Sequence, residues 1–316
     1  MRRRKLIGFC CVTAVLGLAS GWPAVASSDT SAASGQARVS LPNPVTLIRE
    51  VVYNEVHDHD THGYWRYWIE RYSGKETKLE EAVETPDGPV ARLELSDGHA
   101  LDVQARAEED RRLRELLNSP GEQAQHRKAY AEDERRIGRI LALLPEAFLY
   151  EPAQEEGRSE RMPECPCYHL RFRPNPDYPA HSIESRIFHA MAGDLWISVD
   201  HKRLVRLDGK LRENVDFGYG ILGRLYKDGW FRLERTHVNA AGDENGNGAW
   251  KTQRLEVHMT GRAMLFKTIA RETSEVRGGF TPVPAGLSLQ QAATLARQSA
   301  ATPGAQAQAA ALVTSR

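Results

Sequence analysis

The sequence predicts an α+β protein with one large antiparallel sheet and helices packed on a face of it. Three observations carry this. Between Asp194 and Thr260, apolar and polar residues alternate in short runs divided by turn residues, with no helical pattern between them. That is the signature of antiparallel strands with one wet face. Residues 44–56 instead repeat Leu47, Ile48, Val51, Val52 and Val56 at helical spacing. From Gln104 to Leu144 the composition shifts to Glu, Arg, Ala and Leu, which are helix formers. Runs of strands and separate runs of helix, rather than strict alternation, place the chain in the α+β class.

The N-terminus reads as an export signal. Arg2, Arg3, Arg4 and Lys5 precede an uncharged apolar or small stretch from Leu6 to Ala19, and Ala24-Val25-Ala26 offers a small-x-small site with cleavage before Ser27. The apolar stretch is shorter than the roughly 20 residues of a membrane span. Cys10 and Cys11 lie within it, too near the basic residues to mark a lipoprotein. Residues 1–26 are therefore expected to be a signal peptide, 27–42 a disordered leader, 43–287 a single domain with a helical insert at 104–144, and 288–316 a C-terminal helix and mobile tail. The expected location is periplasmic, and the mature chain is not integral to the membrane. Lys+Arg and Asp+Glu both number 42 in the whole chain; loss of the four basic residues at 2–5 leaves a small acidic excess. That balance does not call for nucleic acid as a partner.

The first helix starts at Asn43-Pro44, a capping residue followed by a proline suited to the first turn. Aromatic residues and Ile69 make Tyr64 to Tyr72 a strand. Ser73-Gly74 is a turn, Lys78 to Thr85 a strand, Pro86-Asp87-Gly88 a turn, and Leu93 and Leu95 lie in a third strand before the hairpin signal Asp97-Gly98. Ser119-Pro120-Gly121 splits the insert into two helices, and Pro145 is expected to end the second. Tyr168 to Arg173 is a strand. Further strands run through Leu195, Ile197 and Val199, through Leu204 to Leu207 with a turn at Asp208-Gly209, through Phe231 and Leu233 after a turn at Asp228-Gly229, and through Leu255, Val257 and Met259. Leu287 to Arg297 is a last short helix.

Three groups of residues invite a chemical reading. His57, Asp58, His59, Asp60 and His62 are ligand types for a divalent metal, yet they occupy a helix-to-strand junction where polar residues collect anyway, and His-Glu-x-x-His is absent. Cys165 and Cys167, with His169 nearby, fit either a disulfide or part of a metal site, and two thiols with one imidazole do not close a zinc site. Asp243 to Gly248 resembles the opening of a calcium loop, but Arg254 stands where the bidentate Glu belongs, so the stretch is better read as a Gly/Asn-rich hairpin loop between two strands. No nucleophile elbow, phosphate loop or dinucleotide fingerprint occurs. No cofactor is expected. The aromatic run is different: in a strand Trp65, Tyr67 and Ile69 share one face and Tyr64 and Trp68 the other. One face packs on the core; the other is either buried as well or forms the wall of an apolar cavity.

The stretch Asp194-Leu195-Trp196-Ile197-Ser198-Val199-Asp200, then Arg203-Leu204-Val205-Arg206-Leu207-Asp208-Gly209, resembles the LolA/LolB-like superfamily of periplasmic lipoprotein carriers, in which a Leu-Trp-Ile strand, a short turn and a Val-Arg strand recur. Arg262 to Lys267 is similar to the last strands of such proteins. The resemblance is closest from Asp194 to Lys267 and covers the first half in outline; the insert at 104–144 departs from it. It implies an incomplete, curved antiparallel barrel wrapped over helices, with an apolar cavity for acyl chains. Trp65, Tyr67, Trp68, Trp196 and Ile197 are the residues expected to line it. The expected function is a non-catalytic carrier or binding protein for lipid or a lipoprotein acyl chain. The alternative is an envelope assembly module that binds protein, and a third is a metal-dependent hydrolase using His57, His59 and Asp60.

Overall fold

The computed structural model describes residues 42–57, 63–153, 166–217, 223–239, 248–263 and 267–298, without the side chains of 263 and 267–269. The elements are α1 (Pro44–Val56), β1 (Tyr64–Tyr72), β2 (Thr77–Val83), β3 (Val90–Ser96), β4 (His99–Ala100), α2 (Val103–Asn118), α3 (Pro120–Ala147), β5 (Phe148–Pro152) and β6 (Cys167–Pro174). They continue with α4 (Ile183–His189), β7 (Met191–Ser198), β8 (Leu204–Leu211), β9 (Val215–Phe217), β10 (Gly223–Leu225), β11 (Trp230–Val238), β12 (Ala249–Ala263), β13 (Lys267–Val283) and α5 (Leu289–Gln298). The 13 strands form one antiparallel sheet in the order β4-β3-β2-β1-β13-β12-β11-β8-β7-β6-β5, with β9 and β10 attached to the far end of β12. The sheet does not close: β4 and β5 are its two ends.

Local signals act as expected at most boundaries. The Asn43 side chain accepts the Thr46 N–H at 3.1 Å and Pro44 opens α1, so an otherwise orphaned donor is satisfied. Asp97 and Gly98 both adopt positive φ between β3 and β4, the geometry that makes a two-residue hairpin match the strand twist. Two expectations are corrected. Pro145 does not end α3 but lies in its last turn, and the helix continues to Ala147; the missing N–H removes one bond, and the chain then leaves directly into β5. Asp208-Gly209 is not a turn but the middle of β8, paired with Arg232 and Phe231 of β11. Gly209 is required there by packing, since the Phe231 ring occupies the space a Cβ would take. The short α4 and the β9–β10 ribbon have no counterpart in the sequence reading.

The two faces of the sheet divide the core. Leu195, Leu207, Leu233 and Leu255 are successive cross-strand partners from β7 to β12 and so share one face. On it Leu47, Ile48 and Val51 of α1 pack against Phe148, Leu170, Phe172 and Ile197. At the other end of the sheet and on the opposite face, Val83 and Val90 pack against Leu113 of α2 and Leu289, Ala292 and Ala296 of α5. The helices are thus shared between both faces rather than confined to one. The insert is fastened by charge as well as by Leu113: Glu109 of α2 accepts the Leu93 N–H at 3.0 Å and pairs with Arg112. Burial alone would raise the Glu109 carboxyl, but Arg112, the Leu93 N–H and Arg92 outweigh it and hold it below the ordinary carboxylate value.

Opposite the α1 face, β8, β11 and β12 carry a closed ring of ion pairs. Asp208 receives Arg206 and Arg232, Glu234 receives Arg206 and Arg254, and Glu256 receives Arg232 and Arg254, at 2.6–3.7 Å. Each charge faces opposite charges across the strands, which favours this register over a one-residue slip.

The C-terminal end of α1 is held by a buried carboxylate. Glu55 pairs with Arg235 at 2.5 Å and with Arg203 at 3.8 Å, Arg235 also donates to the Trp250 carbonyl, and Arg203 donates to the Asn54 carbonyl. Removing one partner of such a buried group strands the others without solvent. Glu55→Ala is expected to lower unfolding free energy by about 3–5 kcal/mol, whereas Glu55→Leu combined with Arg235→Met recovers most of it; urea denaturation of the two variants checks both.

Candidate functional site

The aromatic residues of β1 divide as strand geometry demands. Trp65, Tyr67 and Ile69 form one cluster with Ala82 and Ala249, joined by Val238 and Phe280, and Trp68 points the other way against Leu79 and Val276. Tyr67 is opposite Ala82, and Ile69 is opposite Arg277. Through Arg71, Glu275 and Leu255 this face is continuous with the one that carries α1. Phe280 lies against Tyr67 with ring centroids 5.5 Å apart.

Charged groups are buried over these rings. Lys251 of β12 is 2% exposed; its ammonium is 5.7 Å from the Trp65 ring centre and 3.1 Å from both carboxylate oxygens of Glu84. Glu84 also accepts the Trp65 N–H at 3.0 Å. Arg277 stands 5.7 Å over the Tyr67 ring and pairs with Glu275, which pairs in turn with Arg71. A cation over an aromatic face, desolvated and paired, is a favourable arrangement. Lys251 on β12 and Glu84 beyond β2 are separated by β13 and β1, so about 14 Å would divide their backbones in a flat sheet. The two long side chains bridge that span and meet over Trp65.

The remaining residues expected in the site go elsewhere. Ile197 is on the face that carries α1 and is packed against that helix and its neighbours. Trp196, one residue earlier, points to the outer face, where it packs with Val205, Trp250 and Cys167. His169 stacks on it at 4.4 Å and is bonded to Asp194 at 3.0 Å, and Arg206 covers it at 5.1 Å. Of the five, the structure brings together only Trp65 and Tyr67. Lys251, Glu84, Arg277 and Phe280 were not legible as site residues, because β12 before Arg254 and all of β13 carry mixed charged and apolar residues without a clean alternation.

The metal readings gain no support from placement. His57 stacks on Tyr53 and hydrogen-bonds its carbonyl at 2.9 Å, while 58–62 lie outside the described residues. Cys167 is disulfide-bonded, and Cys165 lies outside the described residues, as do 243–247 of the calcium-like loop. Among the described residues, no group of three or more His, Cys, Asp or Glu is placed to hold a metal ion, and no helix is long and apolar enough to cross a membrane.

No family model matches the chain, and no curated protein matches it. Among solved structures it is similar to a DUF1329 family protein from Desulfovibrio piger, at 12% identity and a TM-score of 0.30 over 78% of this chain and 96% of that one. A likeness of that degree carries no conclusion about the fold or the function of this chain.

Beside Trp250, His201 and His237 stack with ring centroids 5.4 Å apart. Burial, and then the His201 charge, push the His237 imidazole below its ordinary value. The folded state therefore keeps His237 neutral where the unfolded chain protonates it, and stability is lost as pH falls below about 6.5. His237→Phe is expected to make the decline between pH 7 and 5.5 shallower, checked by urea midpoints at each pH.

Proposed function

We propose that the protein is a non-catalytic binding or carrier protein of the periplasm that takes lipid or a lipoprotein acyl chain on the face of its sheet that carries Trp65 and Tyr67. The observation that supports this reading best is the cluster around Trp65 and Tyr67. It gathers aromatic and aliphatic side chains in one buried cluster, with two cations, Lys251 and Arg277, over its rings. Such a surface suits a ligand with an apolar chain and a carbonyl or anionic end. The chain would lie along Trp65, Tyr67, Ile69 and Phe280, and its oxygen atoms would meet Lys251 or Arg277.

The energetics permit it. Each buried methylene contributes about 0.8 kcal/mol, so a long acyl chain offers on the order of 10 kcal/mol before the cost of ordering is subtracted. The Lys251–Glu84 ion pair lies over Trp65 and must give way for a chain to enter. The reading needs no reacting group, and the export signal of residues 1–26 supplies the compartment.

Delipidated protein is expected to bind a fluorescent long-chain fatty acid with a Kd in the micromolar range, about −8 kcal/mol. Tyr67→Ala is expected to weaken it about tenfold without changing the far-ultraviolet circular dichroism. Native mass spectrometry of protein purified after export is the companion measurement. A clean apo mass together with no uptake of fatty acid, phospholipid or acylated peptide would sink the proposal.

A further inference from the structure

The outer face of the sheet has two zones. Along β12 the residues Arg254, Glu256, His258, Thr260 and Arg262 succeed one another on that face. As far as Glu256 every charge belongs to the closed ring with β8 and β11. Beyond it the neutralisation fails. Arg262 is directly opposite Arg224 of β10, a like-charge pairing that costs stability in a sheet. Asp216, opposite Arg224 on its other side, is engaged by Arg224 at 2.5 and 2.9 Å. Arg262 has no ion pair among the described residues, and its Nε has no hydrogen-bond partner. Nearby, Lys210 is matched by Asp228, whereas Lys227 has no ion pair among the described residues.

The same zone exposes aromatic area. Trp230 and Tyr226 are each 37% exposed, while the other tryptophans of the described residues are buried. Trp230 pairs with His258 and stacks on it at 6.0 Å, and the Tyr226 N–H is bonded to the Thr260 carbonyl. Register thus sets Trp230, Tyr226, Arg224 and Arg262 side by side at one end of the outer face. Partly exposed Trp and Tyr beside two arginines that share one carboxylate, Asp216, is the chemistry of a water–lipid interface, where the rings sit among headgroups and the guanidiniums meet phosphate.

We infer that this end of the outer face docks the protein, peripherally, on a bilayer bearing anionic phospholipid headgroups. The occupant is argued from charge complementarity and from the two exposed rings. The inference is independent of an acyl ligand on the face of Trp65 and Tyr67, because the two surfaces lie on opposite sides of the sheet.

The test is flotation of the full exported protein with vesicles of phosphatidylcholine alone and of phosphatidylcholine mixed with phosphatidylglycerol, with Trp fluorescence read in parallel. Binding is expected only with phosphatidylglycerol, with a blue shift from Trp230, and it should vanish at about 1 M salt, where the screening length is about 3 Å. Arg224→Gln with Arg262→Gln should weaken binding at least about tenfold, while Arg127→Gln with Lys128→Gln on exposed α3 should leave it unchanged. Should the first pair of substitutions unfold the protein, Arg262→Gln alone breaks no ion pair and is expected to weaken binding about threefold or more. No binding, equal binding to both vesicle types, binding indifferent to Arg224 and Arg262, or equal loss in the α3 control would each overturn the inference. A retained N-terminal segment that binds membranes by itself would register as such indifference.

Discussion

The structure depends on one buried carboxylate. Glu55, at the inner end of α1, sits between Arg203 and Arg235 and ties the helix to the strands beneath it. The apolar stripe Leu47, Ile48 and Val51 supplies most of the burial, but apolar contact is non-directional and would tolerate a sliding helix. The ion cluster does not: Glu55 must meet Arg235 of β11, and the Asn54 carbonyl must meet Arg203. Charges buried this way give little net stability. Here they set where α1 ends on its face of the sheet, and with it how much of that face is left for other side chains.

The same economy of charge separates the two sides of the sheet. On the outer face Arg, Asp and Glu alternate along β8, β11 and β12, and the register closes them into a ring. Around the β1 aromatics Lys251 and Arg277 are each laid over a ring and paired with a carboxylate, as with Lys251, Trp65 and Glu84. On one face Lys251 of β12 and Glu84 beyond β2 meet in an ion pair over the buried Trp65, and on the other the ring closes around the largely buried Arg206 and Arg254.

The placement of Trp196 and Ile197 illustrates why a sequence motif is not a site. The two are adjacent in the stretch that carries the family resemblance, and adjacency in a strand sends them to opposite faces. Ile197 became core under α1, and Trp196 became the platform for His169 and Arg206. Asp208-Gly209 makes the same point for turns: the dipeptide is a turn signal, but a Phe231 ring that needs the missing Cβ and two arginines that need the carboxylate hold it in mid-strand.

Much of the fold was legible because it rests on local chemistry. The bounds of α1, the face shared by Trp65, Tyr67 and Ile69, the break at Ser119-Pro120, the Asp97-Gly98 hairpin and the last helix all follow from caps, periodicity and turn residues within a few positions of one another. By itself, then, the sequence determined the α+β class, most of the elements and the alternation of the β1 side chains. Tertiary structure alone decided that β13 lies between β1 and β12, that the helices occupy both faces, and that Lys251 and Glu84 close over Trp65. Those facts depend on which strands pair and which side chains meet, as Lys251 and Glu84 do, and they rest on contacts between residues far apart in the chain, which no local pattern encodes.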